Sequence, residues 1–136
     1  MVGIECTAHT FGVGVVHNGT ILANVRDMYK PIQGGIVPME SAAHHRAVAE
    51  SLWIQALETA GVSDSDIEVI AVSRAPGLAP CLLAGLEFAQ RKARLFGVPL
   101  VPVNHCLAHL EIGQHEGARD PVLLYASGAN TQIIAF

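Results

Sequence analysis

Two features of the sequence predict an α/β fold, a mixed sheet with an antiparallel meander flanked by helices. The opening residues, up to Tyr29, read as three short strands running up and down. From residue 40 onward, helix-like and strand-like segments alternate. A third feature sets the scale: 136 residues, 51% of them hydrophobic and only 15% charged, amount to one domain with a substantial core.

GIECTA (3–8) is the first strand, and FGVGVVHNGTILANVRDMY (11–29) supplies two more, joined at Asn18-Gly19. An Asn-Gly pair accepts the positive φ angles of a tight hairpin turn, so the break falls there. KPIQGGIVPM (30–39) holds two prolines and Gly34-Gly35, and reads as loop. A helix is expected from Glu40, because Ala49, Leu52, Trp53, Ala56, Leu57 and Ala60 recur at spacings of three and one. Gly61 ends it. IEVIAVSR (67–74) is a buried strand, and APGLAP (75–80) a tight connection. Leu82, Leu86, Ala89, Ala93 and Phe96 trace a second helix over 80–96, with Pro80 near its start and Gly97 just past its end. VPLVPV (98–103) is another strand, followed by a helix carrying His105 and His109. PVLLYASGANTQIIAF (121–136) closes the chain as strand, turn, strand. That ending, inside an apolar strand with no cap or polar tail, predicts a chain truncated at Phe136.

Twelve acidic and eight basic residues give a net charge of −4. This argues against nucleic-acid binding by bulk electrostatics and leaves room only for a local basic patch. No run approaches the ~18 uninterrupted apolar residues of a membrane span. MVGIECTAHT shows no basic segment followed by an apolar block, so no signal peptide is expected. Three cysteines without a CxxC pair suit a reducing compartment, and a cytoplasmic location is expected.

Four segments could carry chemistry. In VNHCLAHLE (103–111), His105 and His109 stand four apart, which on a helix places both imidazoles on one face within reach of one ion. Their helix follows a strand, at the carboxyl edge where open α/β sheets hold ligands. Tyr125 could approach from the next strand, whereas Glu111, two residues past His109, lies on another face. Two surface histidines are the alternative. YASGAN (125–130) offers backbone N–H groups and a hydroxyl in a tight turn, either a phosphate cradle or a plain hairpin. GIECTAHTFGVGVV combines a carboxylate, a small hydroxyl and glycines that could position phosphates or an accompanying ion. SRAPGLAP is a rigid strand-to-helix connection or an anion site at a helix start. His44 and His45 are expected on a partly exposed helix face, and Arg91, Lys92 and Arg94 on a solvated one.

In this order, GIECTAHTFGVGVV, GGIVPMESAAHH, SRAPGLAPCLLAG, PLVPVNHCLAHLEIG and LYASGANTQII closely resemble the amino-terminal half of the universal tRNA threonylcarbamoyladenosine biosynthesis family. The likeness is to its archaeal and eukaryotic-like branch, and the family was long labelled O-sialoglycoprotein endopeptidase. It implies an actin-like, Hsp70-like ATPase fold (ribonuclease H-like), with residues 1–136 as the amino-terminal lobe. It further implies one divalent metal ion, iron or zinc, on the catalytic pair His105 and His109. A carboxylate from the second lobe would complete that site, and Tyr125 could also coordinate. Tyr125, Ala126, Ser127, Gly128, Ala129 and Asn130 would contact ATP or threonylcarbamoyl-adenylate. The implied reaction transfers the threonylcarbamoyl group from that adenylate to the adenosine beside the anticodon of tRNA. The implied partners, besides tRNA, are the subunits of the KEOPS complex: a small kinase, a tRNA-binding subunit, and a dimerising subunit docked on the helices at 40–60 and 80–96.

The chain departs from the family pattern at Ala129, where a second glycine is usual, and at Met39, where an arginine is usual. Val37 replaces a common histidine, and Arg74-Ala75 stands where glycine commonly precedes Pro-Gly. Two rival readings are a non-catalytic docking lobe and a metalloprotease. Against the protease, HCLAH has Cys106 where an HExxH enzyme carries its general-base glutamate.

Overall fold

The computed structural model describes residues 1–126 and 131–135. Five strands, β1 (Val2–Glu5), β2 (Thr10–His17), β3 (Thr20–Met28), β4 (Ile70–Ala75) and β5 (Leu100–Asn104), form one sheet in the order β3-β2-β1-β4-β5. β2 runs antiparallel to both β1 and β3, while β4 and β5 run parallel to β1. The β2–β3 turn is the expected one, with Asn18 at φ 48° and Gly19 at φ 77°.

Burial alternates along β1, with Val2 and Ile4 inside and Gly3 and Glu5 only partly covered. The inward set, joined by Phe11, Val13, Val15, Ile70 and Val72, packs against two helices, α1 (Pro38–Ala60) and α2 (Ala79–Phe96). Trp53 stacks on Phe96 and meets Phe88 edge-on, so aromatic rings fill the space between the helices. α1 begins at Pro38, two residues before the expected start, because proline is well suited to a first helical turn. Gly61 and Gly97 close the two helices in the left-handed region. β4 begins at Ile70 rather than residue 67. A single 3₁₀ turn over Asp64–Asp66, boxed by Ser63 and Asp66, takes up the preceding chain.

A third helix, α3 (His105–His115), follows β5 without a loop. It approaches the other face of the sheet, where a shallow groove is lined by Gly3, Gly12, Gly14, Ala71 and Ala108. The closing strands β6 (Leu123–Ala126) and β7 (Thr131–Ile134) pair with each other and form a separate two-stranded sheet. Among the described residues, no helix is long and apolar enough to cross a membrane.

Two surface expectations are corrected. His45 is completely buried, facing Phe11 at 5.4 Å, because it continues the inward stripe of α1. Lys92 is buried too. Its ammonium bonds Glu50 at 2.6 Å and lies over the rings of Trp53, Phe88 and Phe96, an arrangement that lets a cation sit on the flank of an apolar core.

Candidate functional site

Parallel strands bring their carboxyl ends to one edge, and β1, β4 and β5 deliver Glu5, Ala75 and Asn104 there. Asn104 turns the chain. Its Oδ1 accepts from the N–H groups of Cys106 (2.9 Å) and Leu107 (3.2 Å), so α3 starts at once with His105 as its first residue. One turn later His109 lies on the same face, with the two imidazole centroids 4.6 Å apart. Tyr125, near the end of β6, brings its ring to 5.8 Å from His105 and 5.9 Å from His109. The three residues singled out in the sequence converge.

His105 Nδ1 stands 3.0 Å from Glu5 Oε2, and its Nε2 stands 3.2 Å from His109 Nε2. A carboxylate can only accept, so Nδ1 carries the proton and donates it, leaving the lone pair on Nε2. Two nitrogens bound to one tetrahedral zinc at ~2.05 Å would be about 3.3 Å apart. The observed separation therefore fits two ligands of a single ion. Burial, reinforced by the neighbouring His105, holds His109 below the ordinary imidazole range, which favours the neutral, ligating form. Glu111 lines a groove with Ile112 and His115 on another side of α3, as its spacing predicts. Among the described residues no three His, Cys, Asp or Glu side chains gather around one point. The donor set here is the imidazole pair with Tyr125 beside it.

Glu5 is the functional residue whose partner sequence reasoning missed. Its Oε1 accepts from the backbone N–H of Thr7 (2.7 Å) and from the Thr7 hydroxyl. Burial pushes its carboxyl up, but the bonds from His105 and Thr7 outweigh that and hold it below the usual range. No local sequence signal marks the pair, because it follows from the strand order: a carboxylate ending β1 faces the same sheet edge as a histidine that follows β5.

The APGLAP connection supports this edge from behind. The N–H of Leu78 donates to the Thr7 carbonyl at 2.7 Å, and a Cβ on Gly77 would fall 2.6 Å from that oxygen. Cys6 is equally enclosed: its N–H donates to Ser73 Oγ at 3.0 Å, and a Cβ on Gly85 would overlap its sulfur. Burial pushes the Cys6 thiol up to about 12, so it is no nucleophile. Ala126 ends β6 beside Tyr125. Ser127, Gly128, Ala129 and Asn130, the expected phosphate turn, lie outside the described residues.

Comparison with known families gives the context. Residues 20–136 match the profile of TsaD, tRNA N6-adenosine threonylcarbamoyltransferase. The chain belongs to that family. A relative described as tRNA N6-adenosine threonylcarbamoyltransferase from Thermofilum pendens is 48% identical over all of this chain and 41% of its own length. One from Hyperthermus butylicus is 49% identical over all of this chain and 38% of its own length. The chain thus spans about two fifths of the curated family members it matches. Among solved structures, YeaZ from Pseudomonas aeruginosa superposes with a TM-score of 0.68 at 14% identity, covering 98% of this chain and 62% of that one. The ethanolamine utilization protein EutJ from Carboxydothermus hydrogenoformans gives 0.58 at 16% identity, covering 97% and 45%. Likeness at that level shows the fold alone. The fold is the α/β lobe of the actin-like, ribonuclease H-like type.

Proposed function

We propose that this chain is the metal-bearing amino-terminal lobe of a cytoplasmic tRNA N6-adenosine threonylcarbamoyltransferase. The observation that carries the reading is the pair of Nε2 atoms 3.2 Å apart, with family membership behind it. His105 and His109 hold one divalent ion, iron or zinc, and Tyr125 is a third donor from the neighbouring hairpin. When bound, that ion supplies Lewis-acid polarisation of the carbamoyl carbonyl. The residues of this chain have simpler tasks. The rigid first turn of α3 fixes the two imidazoles, and Tyr125 to Asn130 contact ATP or threonylcarbamoyl-adenylate. The remaining three fifths of a full-length family member would bring a carboxylate and close the site. The acceptor is the adenosine next to the anticodon of tRNA. The outer faces of α1 and α2 receive the dimerising subunit of a KEOPS-type complex, alongside a small kinase and a tRNA-binding subunit. Cys106, which is buried and stands in the sequence where a protease would carry its general-base glutamate, gives a protease no general base.

Elemental analysis tests this reading. The intact protein should carry close to one iron or zinc per chain, and His105→Ala/His109→Ala should lose it together with threonylcarbamoyl transfer. Equal metal content in both proteins would reduce the pair to ordinary surface histidines.

A further inference from the structure

We propose that Glu5 is the positioning residue of the metal centre: it takes the Nδ1 proton of His105, fixes that ring's tautomer, and so presents Nε2 to the ion shared with His109. The inference rests on the reading that this pair binds a divalent metal.

The geometry assigns Glu5 to the outer shell rather than to the ion. Its Oε2 meets His105 at Nδ1, the nitrogen on the opposite side of the ring from the Nε2 pair. Its Oε1 is already occupied by two donors from Thr7. Both oxygens are therefore committed, and neither is free to approach the ion. An imidazole without a partner on Nδ1 can carry its proton on either nitrogen, and only one of those tautomers can ligate through Nε2. A carboxylate behind the ring selects that tautomer, stops the ring from turning, and makes the ligating nitrogen more basic.

The carboxylate is itself held on a frame that cannot readily relax. Thr7 is pinned by Leu78 and crowded by Gly77. The next residue after Glu5, Cys6, is enclosed by Ser73 and Gly85. The chemistry of three separate segments, GIECTAHT, SRAPGLAP and VNHCLAH, thus reduces to one physical chain: connection, Thr7, Glu5, His105, ion.

The test uses cobalt(II) alone, titrated into the metal-free intact protein and followed by its visible absorption. Nitrogen-15 spectra of the metal-free protein report the His105 tautomer. Glu5→Ala should weaken cobalt binding about 10- to 100-fold and release the Nδ1–H tautomer into a mixture. Glu5→Gln offers one acceptor where Glu5 uses two: with its oxygen on the fixed Thr7 N–H, its NH2 faces Nδ1. It should therefore tip His105 toward the Nε2–H tautomer and weaken cobalt binding at least as much as Glu5→Ala, though short of the loss in His105→Ala. Circular dichroism checks folding, and Glu5→Gln carries the comparison if Glu5→Ala does not fold. Unchanged affinity and tautomer in the Glu5 variants, with wild type binding cobalt, would overturn this proposal alone. Loss of binding in Glu5→Gln as complete as in His105→Ala would also overturn it, by making Glu5 a ligand. A wild type that binds no more cobalt than His105→Ala/His109→Ala would overturn the metal reading itself, and this proposal with it.

Discussion

His45 shows how a single side chain can carry a pH dependence. It is fully buried, and neither ring nitrogen makes a well-aligned hydrogen bond, although the carbonyls of Ala8 and Cys6 lie nearby. Burial, aided by the adjacent His44, holds it below the ordinary value of 6.5. The native ring is then neutral, while the same ring in the unfolded chain takes up a proton near pH ~6.5. Its contribution to stability is therefore complete above that pH and drains away as pH falls through the lowered native value. The urea midpoint of the protein should fall between pH 7.5 and pH 5. His45→Leu, which removes the proton site and two unpaired buried nitrogens, should flatten part of that fall. His109, lowered in the same direction, leaves a residual slope. An unchanged slope in His45→Leu would show that this ring does not titrate on unfolding. The burial of His45 was legible in principle. Ala42, His45, Ala49, Leu52, Trp53 and Ala56 form one continuous helical stripe, and only the polar identity of residue 45 hid it. Lys92 was misread for the same reason, since it shares an inward face with Phe88, Ala89 and Ala93.

At the scale of elements, the strands and the three α-helices were legible, the meander and the first two helices from the Asn18-Gly19 turn, the α1 stripe and the Gly61 and Gly97 caps, all local signals. The 3₁₀ turn at Asp64–Asp66 was not. What the sequence could not convey was which ends meet. Glu5 and His105 are separated by a hundred residues, and their bond depends on β1, β4 and β5 being parallel and adjacent in the sheet. Gly77 tests this layer. A methyl group there would sit 2.6 Å from the Thr7 carbonyl and 2.9 Å from its Cβ, closer than either can tolerate. Relief requires the connection or the end of β1 to shift. Gly77→Ala should therefore cost about 1–3 kcal/mol of stability in chemical denaturation. It should also weaken metal binding, because Thr7 is the anchor of Glu5. Wild-type stability together with wild-type metal affinity would mean that the connection moves aside freely and supports nothing.

For the whole molecule, the question is what covers its unpaired apolar faces. The inner face of the β6–β7 hairpin, Leu123, Tyr125, Gln132 and Ile134, is partly covered on the α3 side, and Cys106 Sγ lies 3.8 Å from Gln132 Oε1. The outer face is bare: Leu124 and Ile133 pair directly across the ladder at 65% and 77% exposure, with Val122 at 66% beside them. A lone two-stranded hairpin is marginal in water and normally needs a further strand or helix on its apolar side. β5 is an edge strand of the main sheet, with Val101 exposed along it. These 136 residues alone should therefore self-associate, through hairpin-to-hairpin contact and pairing along β5. Light scattering should show a mean mass that rises with concentration across the micromolar to millimolar range. Leu124→Lys/Ile133→Glu, which places opposite charges across the ladder on the solvent face, should return the chain toward monomer without unfolding the main core. Full-length protein, in which the proposed second lobe covers the hairpin, should show no such concentration dependence. A monodisperse monomer of the 136-residue chain at millimolar concentration would mean that the hairpin is self-sufficient, and the case for a covering lobe would lose its physical basis.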